Sequence, residues 1–503
     1  MIILRRAKLF VINVAILTST AILMQVIGIV FSVYISNKIG AEGIGVFQLI
    51  MSVYTFAITL ASSGINLAAT RIVSEQMAKD NKNGASKAIK QCILYSLILG
   101  TIACFLLLIF SSYITEICLH NKVSTIPLKI IAFSLPFISM SAAINGYFSA
   151  IRKVSKTAAS QIFEQVLRII ITCFMLNIFL PDGLEYACIS LVVGTCLSEC
   201  LSFIYIYICY FLEKKKNKIN SNNTKSYTKD ILNICVPIAI TSYIRSGLST
   251  FKQLIIPLRL EKSGLSCEAA LAKYGLIGGM VMPILMFPSV FINSFSGLLI
   301  PEFSSIYVTK NYKRINTLTT KIFKITMLFS CCVFGIFLNY YDKLSTVIYN
   351  NNEVSSFLLI LSPLVLIMYI DTIVDGMLKG LNEQVKVMQI NILDLFFSIS
   401  FIYFLLPIYS INGYIVVIYI SEILNGVLSI KRLVKVTKLK IEYINWIIKP
   451  IAITLLCRYI VNFLNINIIN QTVTLILEII LFVIIYIIIL FITNALTKKD
   501  LKI

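Results

Sequence analysis

Apolar runs of roughly 20 residues recur from Phe10 to Thr493 with only short polar interruptions, and each is long enough to cross the ~30 Å hydrocarbon core as a helix. A chain patterned this way cannot give itself a polar surface. Of its 503 residues 58% are hydrophobic and only 13% charged, a balance that suits lipid rather than water. The expected fold is an all-α polytopic membrane protein of about fourteen transmembrane helices. The spans are placed at 10–36, 44–70, 88–114, 124–150, 157–180, 184–212, 231–258, 273–301, 317–340, 355–378, 386–406, 411–430, 446–464 and 470–496. Arg5, Arg6 and Lys8 precede an apolar run, as in a signal peptide, but the run is too long and lacks a small-residue cleavage site, so it is taken as a retained first helix.

The net charge of +21 would suggest nucleic acid in a soluble protein. Here the cations alternate loop by loop. One set of loops carries 33 of them, including Arg71 to Lys90, Arg152 to Lys156, Lys214 to Lys229, Lys310 to Lys324, Lys379, Lys386, Lys431 to Lys449 and Lys498 to Lys502; the intervening loops carry 6. By the positive-inside rule the basic side is cytoplasmic, with both termini on it, in the cell membrane. The high pI then reflects topology and attraction to anionic lipid headgroups, and nucleic acid is not an expected partner.

Features recur between the two halves at an offset of about 230 residues. Gly45 matches Gly275, Asn145-Gly146 matches Asp375-Gly376, Ala150 matches Gly380, and Glu164 matches Asp394. The offset covers six helices, an even number, so the copies share one orientation and a pseudo-twofold axis along the membrane normal. Close packing at glycines is the competing explanation. The expected domains are an N-lobe at 1–212 (helices 1–6), a basic Lys/Asn/Ser/Thr linker at 213–230, a C-lobe at 231–436 (helices 7–12), and two appended helices with a tail at 437–503.

Groups for catalysis are sparse. The one histidine, His120, falls in a short loop, and HExxH, GxSxG and GxxxxGK[ST] are absent. The thirteen cysteines are scattered through apolar runs without a CxxC pair, as packing residues would be. No metal, cofactor or enzymatic activity is expected, and the chain is read as moving something across the membrane.

Charges inside the spans need a reason, since an ion at a helix centre costs at least ~2.5–3.5 kcal/mol on insertion scales. Glu164, Arg168, Glu199, Arg245, Lys252, Asp371, Asp375, Asp394, Glu422, Arg458 and Glu478 are such residues. Arg245, Ser249 and Lys252, at i, i+4 and i+7, share one helix face. Arg245 lies roughly 21 Å along its helix from Ile231, beyond mid-bilayer. If it lines a cavity it attracts an anion, and a diphosphate suits several cations at once; the alternative is pairing with an acid of another helix, as Glu164 can pair with Arg168 at i, i+4. Asp371 and Asp375 are candidates for a gate. Pro283, Pro288 and Pro301, with Gly278, Gly279 and Gly297, make span 8 a broken or bent helix and a candidate hinge, with packing around a kink as the alternative.

The stretch Gly40-Ala41-Glu42-Gly43-Ile44-Gly45-Val46-Phe47-Gln48-Leu49, with Ser63-Gly64-Ile65 and Ser74-Glu75, resembles the helix 1–2 region of the stage V sporulation protein B and polysaccharide exporter family. Tyr274-Gly275-Leu276, Met282-Pro283, Phe287-Pro288-Ser289 and Ile300-Pro301-Glu302 resemble its helix 8. The resemblance covers essentially the whole chain and implies membership of the multidrug/oligosaccharidyl-lipid/polysaccharide exporter (MOP) superfamily. Relatives there flip undecaprenyl-diphosphate-linked sugars, including lipid II, to the outer leaflet for peptidoglycan or spore cortex. The resemblance thus implies a lipid-linked oligosaccharide as partner, membrane lipids around it, and cell-wall or spore-cortex synthesis proteins nearby. In lipid II flippases, arginines of the N-terminal lobe face the cavity, and the last two helices add a groove for the lipid tail. This chain departs from that pattern, because the interior of span 1 has no cation and offers only polar groups such as Asn13 and Gln25. Arg245, Lys252 and Arg168 are the candidate headgroup ligands in their place, chosen by position. Glu164 and Asp394, with Asp371 and Asp375, are candidates for coupling to H+ or Na+ or to the membrane potential. The rival functions are a cation-coupled drug exporter of the same fold, which would favour an acidic or aromatic cavity, and a membrane glycan polymerase or ligase, which would need a large outer loop.

Overall fold

The computed structural model describes residues 2–118, 125–216, 226–439, 442–464 and 471–497. His120, much of the basic linker and the last loop cations lie outside the described residues. Every regular element among the described residues is helical. Twelve helical stretches are long and apolar enough to cross a membrane. Two of them, at Ser19–Ala78 (60 residues) and Gln384–Thr437 (54 residues), are more than twice the ~20 residues one crossing takes. Non-helical backbone interrupts each, at Gly40 (φ 70°) and at Ser410 (φ 52°); the sequence expectation of about fourteen helices treats each stretch as two.

The chain forms two compact units, Met1–Phe31 with Lys38–Glu261 and Leu265–Gly275, and Ser32–Asn37 with Lys262–Gly264 and Leu276–Ile503. The first contains most of α1 (Ile2–Ser62), then α2 (Ile65–Ala78), α3 (Lys82–Cys118), α4 (Ile126–Ala132), α5 (Leu135–Ala150), α6 (Val154–Phe179), α7 (Leu184–Lys216), α8 (Thr228–Glu261) and α9 (Cys267–Gly275). The second contains α10 (Met282–Met286), α11 (Ser289–Val308), α12 (Tyr312–Tyr349), α13 (Asn352–Leu361), α14 (Val365–Gly380), α15 (Gln384–Thr437), α16 (Lys449–Leu464) and α17 (Gln471–Ile492). The unit boundary differs from the repeat boundary. A repeat is defined by sequence offset and a unit by packing, and α8 packs on α1 and α2.

That packing has a local cause. Gly64 precedes α2 in the left-handed region (φ +80°), and a methyl there would stand 2.9 Å from the Cys235 Cα of α8; only glycine permits both the turn and the approach. Further along, the Tyr243 hydroxyl donates to the Leu60 carbonyl (3.1 Å), Thr250 to the Ser52 carbonyl (3.0 Å), and Thr59 to the Ser246 hydroxyl (3.1 Å).

The two units repeat their internal contacts. In the first, a methyl on Gly146 of α5 would stand 2.5 Å from the Asn66 carbonyl oxygen of α2; in the second, one on Gly376 of α14 would stand 3.0 Å from the Ser296 carbonyl oxygen of α11. These partners are also 230 residues apart. Equivalent helices break at equivalent places. Phe133-Ser134 separates α4 from α5, whose second residue is Pro136, and the 3-10 turn Ser362–Leu364, with Pro363, separates α13 from α14, as expected where proline removes a backbone donor.

In the second unit α16 and α17 are fastened to α12. Thr454 donates to the Cys331 carbonyl (3.2 Å), Tyr486 to the Leu328 carbonyl (3.0 Å), and the Lys343 ammonium sits 2.7 Å from both oxygens of Glu478.

Candidate functional site

Helix α8 presents three kinds of face. One is bonded to α1 and packs on α2. A second is apolar and exposed, through Leu232, Val236, Ile240 and Ile244. One residue, about 100°, further round lies a polar stripe of Asn233, Pro237, Thr241 and Arg245, continued by Ser249 and Lys252. Arg245 is exposed, while Ser249 and Lys252 are half-buried. Arg245 has no hydrogen bond or ion pair among the described residues. Separate apolar and polar exposed faces on one membrane helix are what a helix between lipid and a wet cavity requires.

Arg168, the third candidate headgroup ligand, is otherwise engaged. Its Nη2 lies 2.6 Å from Glu164 and 3.9 Å from Glu199 of α7, while its Nε is buried without a partner. Glu199, 9% exposed, also accepts a hydrogen bond from the Tyr54 phenol, which lies against the Ser134 hydroxyl at the α4–α5 break. Ser160 and Ser202 pair at 2.9 Å nearby on α6 and α7. With both carboxyls ionised, the cluster's two carboxylates and one guanidinium would carry one excess negative charge, which a proton or a monovalent cation would balance. Sequence reasoning noted Glu199 only as one of several intramembrane charges and passed over Tyr54 and Ser134. Their partners lie on other helices, up to 145 positions away, so spacing along one helix gives no signal.

The second unit holds a more acidic counterpart. Asp394 of α15 accepts from Ser421 (2.7 Å) and from Ser398 (3.5 Å), and those serines pair at 3.0 Å. Asp375 stands 3.6 Å from Lys379, and Asn425 donates to Asn391 (3.2 Å). Asp371 neighbours Asp375, Asp394 and Ser429. One oxygen each of Asp371, Asp375 and Asn425, and the fully buried Ser429 hydroxyl, have no hydrogen-bond partner. Among the described residues no three His, Cys, Asp or Glu side chains converge as metal ligands do. The structure thus brings Glu164 together with Arg168, and Asp394 with Asp371 and Asp375, in separate units.

The candidate hinge is irregular over its length. α9 passes into a π-helical stretch, Leu276–Val281, then into α10, with Pro283 in its first turn, and Pro288 separates α10 from α11. Gly297 sits within α11 with open space around its Cα.

Residues 10–307 match the model of the polysaccharide biosynthesis protein family, more than half of the chain. The chain belongs to that family. Among characterised relatives it is 24% identical to stage V sporulation protein B of Bacillus subtilis (strain 168) over 453 residues, covering 88% of this chain and 87% of that protein. It is also 24% identical to the lipid II flippase MurJ of the same organism, covering 83% and 81%. Solved structures share the fold. An inward-facing MATE family multidrug resistance transporter of the MOP superfamily superposes with a TM-score of 0.66 at 15% identity, over 82% of this chain and 96% of that one. A MOP superfamily transporter from Pyrococcus furiosus gives 0.58 at 14% identity, over 84% and 96%. The chain is therefore a multi-pass membrane protein with the MOP transporter fold.

Proposed function

We propose that this family member is a flippase that carries a lipid-linked sugar diphosphate, of the lipid II kind, from the cytoplasmic to the outer leaflet by alternating access. The observation that carries the proposal is Arg245, an unpaired, exposed cation in the bilayer-spanning part of α8 beside a separate lipid-type face. With Lys252, about 20° round and roughly 10 Å along the helix, it supplies two positive charges on one face, suited to a diphosphate. The polyprenyl tail stays in lipid throughout. Similarity to a lipid II flippase over most of both chains supports the substrate class, and the alternating loop charges support cytoplasmic termini. Cell-wall or spore-cortex synthesis enzymes would supply and consume the cargo.

Coupling is assigned to the acidic groups. Asp394, with Asp371 and Asp375, takes up H+ or Na+, and the Glu164–Arg168–Glu199 cluster, with its single excess charge, is the second candidate. The test is reconstitution into liposomes with a fluorescent lipid-linked oligosaccharide, following its transfer between leaflets under imposed Na+ or pH gradients. Wild type should flip the probe, Arg245→Ala should not, and Asp394→Asn should lose the response to the gradient. Equal flipping by Arg245→Ala would remove the headgroup site; no flipping by wild type would remove the function.

A further inference from the structure

A cavity of about 310 Å³ opens within the first unit where α3 begins and α7 ends, among the basic loops. Its chemistry is set by six residues: Lys82 and Ser86 of α3, Lys153 between α5 and α6, and Tyr210, Glu213 and Lys214 of α7. Three ammonium groups face one carboxylate. Glu213 is already held by Lys153 at 2.6 Å, so two positive charges are left in excess. Ser86 (3% exposed) and Tyr210 (5% exposed) line the wall, and their buried hydroxyls have no hydrogen-bond partner. A buried hydroxyl left unpaired is destabilising. Water could pair with these hydroxyls but would leave the excess charge unmatched; a small anion with several acceptor oxygens answers both.

We propose that this cavity is a binding site for a phosphoryl group, bridging the basic ends of α3, α5 and α7. A phosphate monoester carries about −1.5 to −2 charge at neutral pH and three acceptor oxygens, which fits the charge excess and the two hydroxyl donors. The volume lies at the lower end of the ~300–1,000 Å³ typical of ligand pockets, so the ligand is an isolated headgroup or small phosphorylated molecule, and not the full lipid-linked sugar proposed as cargo. The site does not depend on the flippase proposal. Filling it ties three helices together and stabilises that end of the unit.

The experiment follows thermal unfolding of the full-length protein, using a thiol-reactive dye that reports exposure of its buried cysteines. One arm, in neutral detergent, titrates inorganic phosphate against chloride at matched ionic strength. The other compares nanodiscs of zwitterionic lipid with and without phosphatidic acid, whose phosphate is a monoester. Saturable stabilisation is expected in at least one arm. Ser86→Ala and Tyr210→Phe, which remove only unpaired hydroxyls and so preserve folding, should weaken half-saturation about tenfold each, and Lys82→Gln with Lys214→Gln should abolish it. Stabilisation by phosphate in detergent identifies a soluble phosphate compound as the source; stabilisation only by the anionic lipid identifies a lipid headgroup. No stabilisation in either arm, or the same half-saturation in every variant, overturns the proposal.

Discussion

Gly45 and Gly275 meet backbone to backbone: a methyl on Gly45 would fall 2.2 Å from the Leu271 carbonyl oxygen, and one on Gly275 would fall 2.0 Å from that of Ala41. The contact is reciprocal, since Ala41 and Leu271, like Gly45 and Gly275, are 230 residues apart. Gly45→Ala and Gly275→Ala should each lower stability by about 1–3 kcal/mol, read as a fall in unfolding temperature, because the methyl meets rigid backbone rather than a side chain that can swing away.

Gly297→Ala should behave in the opposite way. Nothing stands within 4 Å of the added methyl, and alanine favours the helix by up to about 1 kcal/mol. If α11 must flex, the variant melts no lower than wild type yet transports more slowly. A variant at least as stable and equally fast would leave Gly297 without a hinge role.

Arg168→Ala should be among the most damaging single changes in the first unit. It leaves Glu164 and Glu199 facing each other without a cation, a loss of about 1–3 kcal/mol for a partly buried charge-assisted bond. Adding Glu199→Gln should recover part of it. Unfolding temperatures of the single and double variants give the coupling directly.

Arg245→Ala should leave stability within about 0.5 kcal/mol of wild type, because Arg245 has no partner to lose among the described residues. Arg432 is the contrasting case: its guanidinium grips Glu383 through contacts of 2.6 to 3.1 Å. Arg432→Ala should therefore cost about 1–3 kcal/mol. The pair of melts separates a cation kept for cargo from one kept for structure.

Lys343→Met should destabilise the second unit, since Glu478, 9% exposed at its side chain, would keep its charge without the ammonium. Lys343→Met combined with Glu478→Leu should restore much of the loss. A double variant no better than the single would show that the pair supplies more than mutual neutralisation.

Much of this was legible in the sequence because it is written in residues whose backbone effects are local. Pro288 marks a helix break and Gly45, Gly146, Gly275 and Gly376 recur at one offset in the sequence alone, whereas Pro136 and Pro363 break spans, 124–150 and 355–378, that read as continuous. The Glu164–Arg168 pair follows from helix geometry alone. What escaped depends on tertiary neighbours. The bond from Tyr54 to Glu199 joins residues with no common spacing, and the cavity lined by Ser86 and Tyr210 exists only once three helices are packed. The placement of α8 was hidden for another reason, since the duplication copies sequence order and Gly64 decides what that helix packs on.

The fastening of α16 and α17 to α12 couples the pair to that helix: Thr454, Tyr486 and Tyr340 each bond across to a backbone carbonyl, and Lys343 clasps Glu478 by charge. A displacement of α12 within the second unit would therefore carry α16 and α17 along as one body.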